Sequence, residues 1–419
     1  MGYKESLKFS GWSIVSIFFL SAVLIAFQLV LMRALSVSHY FHFSYLVIST
    51  ALLGFGASGT FLTFTYRRMK KRAGESVLYL YLLFIISIPV SYWTASRLPL
   101  DIQYVFFSLE QLLLMMMYNL LIFIPFFLGA VIIGFKLTYF KKNIPELYGA
   151  NLIGSGAGGI SALGLMYLAP ATHLPFLLPG FVLAGLASWI IAAKRSLQKR
   201  YLSILSLSIG VLVTLIFIFI QPDLTVDPYK SLSNFPRLEK QQDARHVIRR
   251  YGPRAQIDIY DSPTIHKTLF AGLTTDTVPP AQMAILLDGH TAGTMFKTDS
   301  LKDTRILDFT PQSLPFRLIQ KPNVLLLGEV SGSNIWLSKR FGADSITVVQ
   351  TNPQLISLMN EDLQEKNGGI YNDPNVKIVN KSPRLFLEKT SEKFDIIQFA
   401  TTEAMPSVSA GLQGLREDY

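Results

Sequence analysis

"NVLLLGEVSGSNIWLSKRFGADSITVVQTNPQ", residues 323–354, holds an apolar run, Val324 to Leu327, that stops at Gly328, and a second apolar run, Ile346 to Val349. The segment between the two reads as a helix. A strand, a glycine turn, a helix and a second strand form the layout of a parallel β–α–β unit, whose turn can bring backbone amides against a ligand. The end of the second strand is where a nucleoside site places an acid to hold the ribose, and here that position is Gln350. The stretch therefore predicts a fold and leaves open whether its crevice holds a cofactor.

The same alternation continues toward the C-terminus. Strands are expected at 324–327, 346–350, 376–379 and 394–399, and helices at 332–342, 353–360 and 383–390. Strands alternating with helices predict a parallel, doubly wound α/β domain over 321–419. Upstream, "RAQIDIYDSP", "KTLFAG" and "MAILLDGHTAG" are short β-type runs divided by Pro, Gly and Asp, which predict a small antiparallel sheet within 254–320. Residues 222–253 are polar and read as a linker and approach segment.

The first half is of another kind. The chain has 419 residues, 50% of them hydrophobic, with a net charge of +10. Its positive mean hydropathy of +0.36 points to a membrane class. Residues 1–221 carry 16 Lys+Arg against 5 Asp+Glu, whereas 222–419 carry 22 against 23, so the positive excess belongs to the hydrophobic half. No basic stripe accompanies a fold that reads bases, so nucleic acid is not an expected partner. The absence of cysteine excludes disulfides, thiolate catalysis and Cys-ligated metals. Seven stretches, near 11–33, 43–66, 77–96, 112–138, 150–170, 173–193 and 201–220, reach the ~20 apolar residues a bilayer requires.

Charge sets the expected orientation. Lys4 and Lys8 precede the first stretch, Arg67 to Arg72 follow the second, Lys136, Lys141 and Lys142 the fourth, and Lys194 to Arg200 the sixth. Arg33 and Arg97 fall on the other side. This bias predicts a cytoplasmic N-terminus and, after seven crossings, an external C-terminal half. "GSGAGG" at 154–159 has the composition of a phosphate loop, but no strand precedes it and no Lys-Ser/Thr follows. It reads as close helix packing through small residues. Gln28 and Asn151 are expected to hydrogen-bond between helices. His39 and His42 have no further ligands apparent, so no metal site is expected. "LDIQYVFFSLEQ", 100–111, could lie as an amphipathic segment along the outer surface.

"LLDG", "VLLLG", "DSITVVQTNP", "NDPNVKIV" and "EKFDIIQF" together resemble a spermidine-synthase domain. The pattern is similar to bacterial membrane proteins that fuse such a domain to a bundle of hydrophobic helices, a group in which "PYKSLS" and "AGLQGLREDY" also have counterparts. The resemblance implies a Rossmann-type, methyltransferase-like fold and a cofactor, S-adenosylmethionine or its decarboxylated form. It also implies that a complete domain has three more strands past "REDY". Tyr419 is therefore expected to mark a truncated or partial chain, unless something else covers the last strand's edge.

Two glycines of the family's site, Gly328 and Gly332, survive, while its other site positions are altered. Its glycine-rich turn, close to G-G-G-D-G-G, is here Gly328, Glu329, Val330, Ser331, Gly332, Ser333. Its ribose-binding acid is Gln350, its adenine-side carboxylate aligns with Ser382, and the acid that deprotonates the attacking amine is Ala400. A glutamine offers one acceptor oxygen and a donor where two acceptors are needed, and an alanine cannot take a proton. Gly328, Glu329, Gly332, Gln350 and Ser382 thus read as vestigial cofactor positions, with no catalytic residue assigned. The expected function is a catalytically degenerate, membrane-anchored interaction or scaffold subunit with a protein partner or oligomer and no cofactor. The alternative is an active aminopropyl- or methyltransferase with a remodelled pocket, using an S-adenosyl cofactor and Glu329 or Glu403 as its acid. A transporter or channel with an α/β regulator is the third reading; few ionisable groups are expected inside the spans.

Overall fold

The structure, a computed structural model, describes residues 7–39, 42–194, 200–220, 226–240, 243–268, 271–272 and 275–400. The chain divides into two compact units, Met1–Thr225 and Val226–Tyr419.

The first unit is helical: α1 (Gly11–Ser38), α2 (His42–Lys70), α3 (Ala73–Ser96), α4 (Leu109–Tyr139), α5 (Ile144–Leu168), α6 (Leu174–Ala193) and α7 (Arg200–Ile220). Six of these, all but α5, are long and apolar enough to cross a membrane by length and composition. The glycines of "GSGAGG" dilute the hydropathy of α5, and they explain where it packs. A Cβ on Gly154 would lie 2.4 Å from the Phe18 carbonyl oxygen, and one on Gly158 would lie 2.1 Å from that of Ala22. The two helix backbones therefore meet directly, and Ser21 of α1 donates to Asn151 Oδ1 of α5 at 2.7 Å. Small residues that admit a close backbone approach are the usual basis of helix association in an apolar setting, where burial alone supplies little drive. Gly158→Ala is expected to lower stability by about 1–3 kcal/mol through overpacking, seen as a lower melting temperature of the purified full-length protein. An unchanged melting temperature would show that α1 and α5 can separate freely.

Two charges expected to flank spans lie inside helices instead. Arg33 is buried within α1, and Lys136 is fully buried (0% exposed) within α4. α1 continues to Ser38, past the 11–33 stretch that suggested it, which carries Arg33 inside. Lys136 already falls within the 112–138 stretch and is buried by the helices packed around it. Each leaves an opposite side of the charge count, so the direction of the bias is unchanged.

The second unit has two sheets. In the first, β1 (Arg245–Arg250), β2 (Ile257–Asp261), β3 (Gln282–Leu287) and β4 (His290–Phe296) are antiparallel in the order β1-β2-β3-β4. β3 and β4 are joined by Asp288 (φ 52°) and Gly289 (φ 80°), a two-residue turn in which both positions need the left-handed conformation. The sequence expectation is corrected twice here. β1 lies in the segment read as linker, because an edge strand of sequence RHVIRR lacks the apolar alternation by which strands are found. "KTLFAG" forms no strand among its described residues. The supposed linker also holds α8 (Ser231–Lys240), whose Leu232 and Phe235 cover Tyr260, Ala284 and Leu286 on the outer face of this sheet.

After α9 (Leu314–Leu318) come β5 (Asn323–Leu327), α10 (Ser333–Arg340), β6 (Ser345–Val349), α11 (Pro353–Ser357), β7 (Val376–Val379), α12 (Pro383–Lys389) and β8 (Ile396–Phe399). The strands are parallel in the order β7-β6-β5-β8. β5 and β6 are central, and their one-to-one register runs from Asn323↔Ser345 to Leu327↔Val349. Both sheets feed one core: Ile257, Ile259, Met283 and Ile285 pack with Val324, Leu326, Ile346, Val348 and Ile335. The other face of the parallel sheet, Leu325, Leu327 and Val349, packs on Phe386 of α12.

Candidate functional site

The crevice to be judged lies at the C-terminal ends of β5 and β6, where open α/β sheets place their ligands. Gly328 ends β5 with φ 75°, and Gly332 precedes α10 with φ 82°. Both positions need a glycine, since a side chain in this region is strained. At Gly332 a Cβ would also approach Tyr371 to 3.1 Å.

The turn between these glycines is filled from within. Glu329 is 1% exposed. Its Oε1 accepts from the Ser331 amide at 3.1 Å and the Gly332 amide at 2.7 Å, and its Oε2 accepts from Asn334 Nδ2 at 2.5 Å. These are the donors that a glycine turn at a helix N-terminus would offer to an anionic ligand. Burial pushes the Glu329 carboxyl above its usual value, while Asn334, Gly332 and Ser331 oppose the shift by hydrogen bonding to the charged form. Val330 turns into the core beside Ile335.

Gln350, 7% exposed, completes the closure. Its Nε2 donates to the Glu329 carbonyl at 2.7 Å, and its Oε1 accepts from the Asn352 amide at 3.0 Å. Its one acceptor oxygen is thus engaged by the chain's own backbone. Ser382 caps α12, accepting from the Leu385 amide, a role that accounts for a serine there without any ligand. Ala400 donates its amide to the Leu327 carbonyl at 3.0 Å. Glu403 lies outside the described residues. The turn therefore brings Gly328, Glu329, Gly332 and Gln350 together. Ser382 belongs to the N-cap of a separate helix.

A small recess remains beside the turn, lined by Lys267, Thr294, Thr310, Gln312, Ser331 and Ser333 among others. Its volume is about 50 Å³, against roughly 300–1,000 Å³ for sites that enclose drug-sized ligands and cofactors. No carboxylate lines it among the described residues. Sequence reasoning missed Asn334, the residue that holds Glu329 in place. Its only signal was its position one residue into α10, next to an anion-binding turn.

Over 79 residues, the chain is similar to a known enzyme. That relative is the polyamine aminopropyltransferase of Serratia proteamaculans (strain 568), at 32% identity over 19% of this chain and 28% of the relative. Among solved structures, the chain is similar to spermidine synthase in complex with the transition-state analogue AdoDATO, at 20% identity and a TM-score of 0.28, covering 38% of this chain and 48% of the other. Spermidine synthase from Thermotoga maritima gives 20% identity and a TM-score of 0.27, with 37% and 48% covered. The chain thus spans less than half the length of each of these relatives. No protein-family model matches it.

Proposed function

We propose that this chain is a membrane-embedded protein whose spermidine-synthase-like domain has lost aminopropyl transfer and serves as an interaction or scaffold module. The observation that carries this reading is the Glu329 carboxylate seated on the Ser331 and Gly332 amides, with Gln350 bonded across it. A cofactor would have to displace a buried internal ligand and then find no carboxylate for its ribose. A cationic polyamine would likewise meet a recess lined by hydroxyls and a lysine.

The competing reading, an active aminopropyl- or methyltransferase with a remodelled pocket, needs Glu329 or Glu403 as its acid. Glu403 lies outside the described residues, and Glu329 would have to face substrate. Its three donors hold it facing away. The full-length protein in detergent is expected to show no saturable binding of S-adenosylmethionine or of its decarboxylated form at millimolar concentration, measured by equilibrium dialysis. Saturable binding of either cofactor, or aminopropyl transfer to a diamine, overturns the reading.

The proposal extends to location: a bacterial inner membrane with the N-terminus cytoplasmic and the second unit external. This orientation takes α5 as a seventh crossing beside the six spans found by length and composition. The charge bias supports that count, since only then do Lys194 to Arg200 share a side with Lys141 and Lys142. An external location has no evident supply of an S-adenosyl cofactor. A reporter fused near residue 230 is expected to read as external. A cytoplasmic signal there reverses the orientation and leaves the cofactor measurement to stand alone.

A further inference from the structure

Lys136 has no role in the crevice and, among the described residues, no carboxylate paired with it. Its Nζ lies 2.7 Å from Ser16 Oγ and 3.0 Å from the Tyr81 hydroxyl, and it stands over the rings of Trp189 at 4.4 Å and Tyr81 at 4.8 Å. All four side chains are fully buried. They come from four helices: Ser16 from α1, Tyr81 from α3, Lys136 from α4 and Trp189 from α6.

The hydroxyl protons are directed away from the amine. Ser16 Oγ donates to the Gly185 carbonyl at 2.8 Å and the Tyr81 hydroxyl donates to the Ser16 carbonyl at 2.8 Å, with the two hydroxyl oxygens 2.7 Å apart. Both oxygens therefore present lone pairs to Nζ. Two N–H groups meet oxygen, and the remaining side of the amine nitrogen faces electron-rich rings. Trp189 is itself fixed, donating its indole N–H to the Gly74 carbonyl of α3 at 3.1 Å.

We propose that α1, α3, α4 and α6 form a receptor for a primary alkylamine, and that Lys136 is its built-in occupant, fixing the rotation and register of the four helices. Apolar helices in an apolar surrounding gain little orientation from burial, so a polar group shared among them specifies their arrangement. Ionisable residues inside such bundles mark functional or organising sites, with their partners close by. Two acceptor oxygens and two aromatic faces, with no carboxylate beside them among the described residues, suit a nitrogen that carries N–H donors and not a carboxylate or phosphate.

Lys136→Ala retains Cβ and removes three carbons and the amine, the outline of n-propylammonium. In the full-length protein in detergent, this variant is expected to melt about 5 °C or more below the parent. n-Propylammonium at tens of millimolar is expected to recover at least half of that loss, with no recovery from n-propanol or tetramethylammonium. Equal recovery from propanol overturns the proposal, since it would show a merely apolar cavity. If the alanine variant does not assemble, a double-mutant cycle between Lys136→Met and Tyr81→Phe decides. A melting-temperature change of the double variant smaller than the sum of the two single changes upholds the cage, and simple additivity overturns it.

Discussion

Glu329→Ala in the full-length protein is expected to expose the amides of Ser331 and Gly332 to hydrogen exchange roughly hundredfold faster than in the parent, a loss of about 3 kcal/mol of local stability. The substitution strands two backbone N–H groups and the Asn334 amide in a buried setting. An unpaired buried donor costs about 1–3 kcal/mol, and relief of the buried carboxylate offsets part of the total. A Glu329 that faced an open pocket as an acid would behave otherwise, with an alanine change staying within about 0.5 kcal/mol. The same measurement against pH isolates the carboxylate. Its folded pKa lies above the usual 4.5. Its contribution to stability is therefore fully present below pH 4.5 and is lost as pH rises through the raised value. Glu329→Gln is neutral throughout, so the parent is expected to lose ground to it steadily as pH rises across that window. A parent and variant whose difference does not change with pH would show that Glu329 titrates as an ordinary exposed acid.

The parallel sheet is legible in the sequence because its central strands are buried on both faces. "VLLL" is an unbroken apolar run and "ITVV" is interrupted only by the buried Thr347, and the glycines that end β5 and precede α10 are required by positive φ. Six of the seven helices are legible for the same reason, since each contains a long apolar stretch, while the glycines of α5 dilute its signal. What escapes is whatever lacks an apolar signature. β1 is charged, α8 rests on two apolar residues, and Lys136 looks like the flank of an apolar run until the helix is seen to continue to Tyr139. At the crevice, the sequence marks Glu329 and Gln350 as substitutions of the expected pattern. That the two bond to one turn, one through its amides and the other through its carbonyl, depends on side-chain direction, which periodicity does not encode.

Asp258→Ala is expected to destabilise β1 by about 3 kcal/mol, although no motif marks this residue. Asp258 is fully buried on β2 and opposes Arg249 in the β1–β2 register. Its carboxylate accepts from Arg249 Nε, from Gln256 Nε2 at 2.8 Å, and lies 3.3 Å from His246 Nε2. Removing one member of a buried charged cluster leaves the others desolvated without compensation, which costs about 3–5 kcal/mol in well-packed sites. Arg249 and His246 are partly exposed and can turn to water, which places the expected loss at the lower end. The effect should be local, with amides of Arg245–Arg250 exchanging roughly hundredfold faster and those of β5 and β6 unchanged. Asp258→Asn keeps the shape and one acceptor and should fall between the two. Uniform loss of protection across both sheets would instead mean that β1 is integral to the shared core. The segment that reads as a linker would then be part of the domain's folding unit.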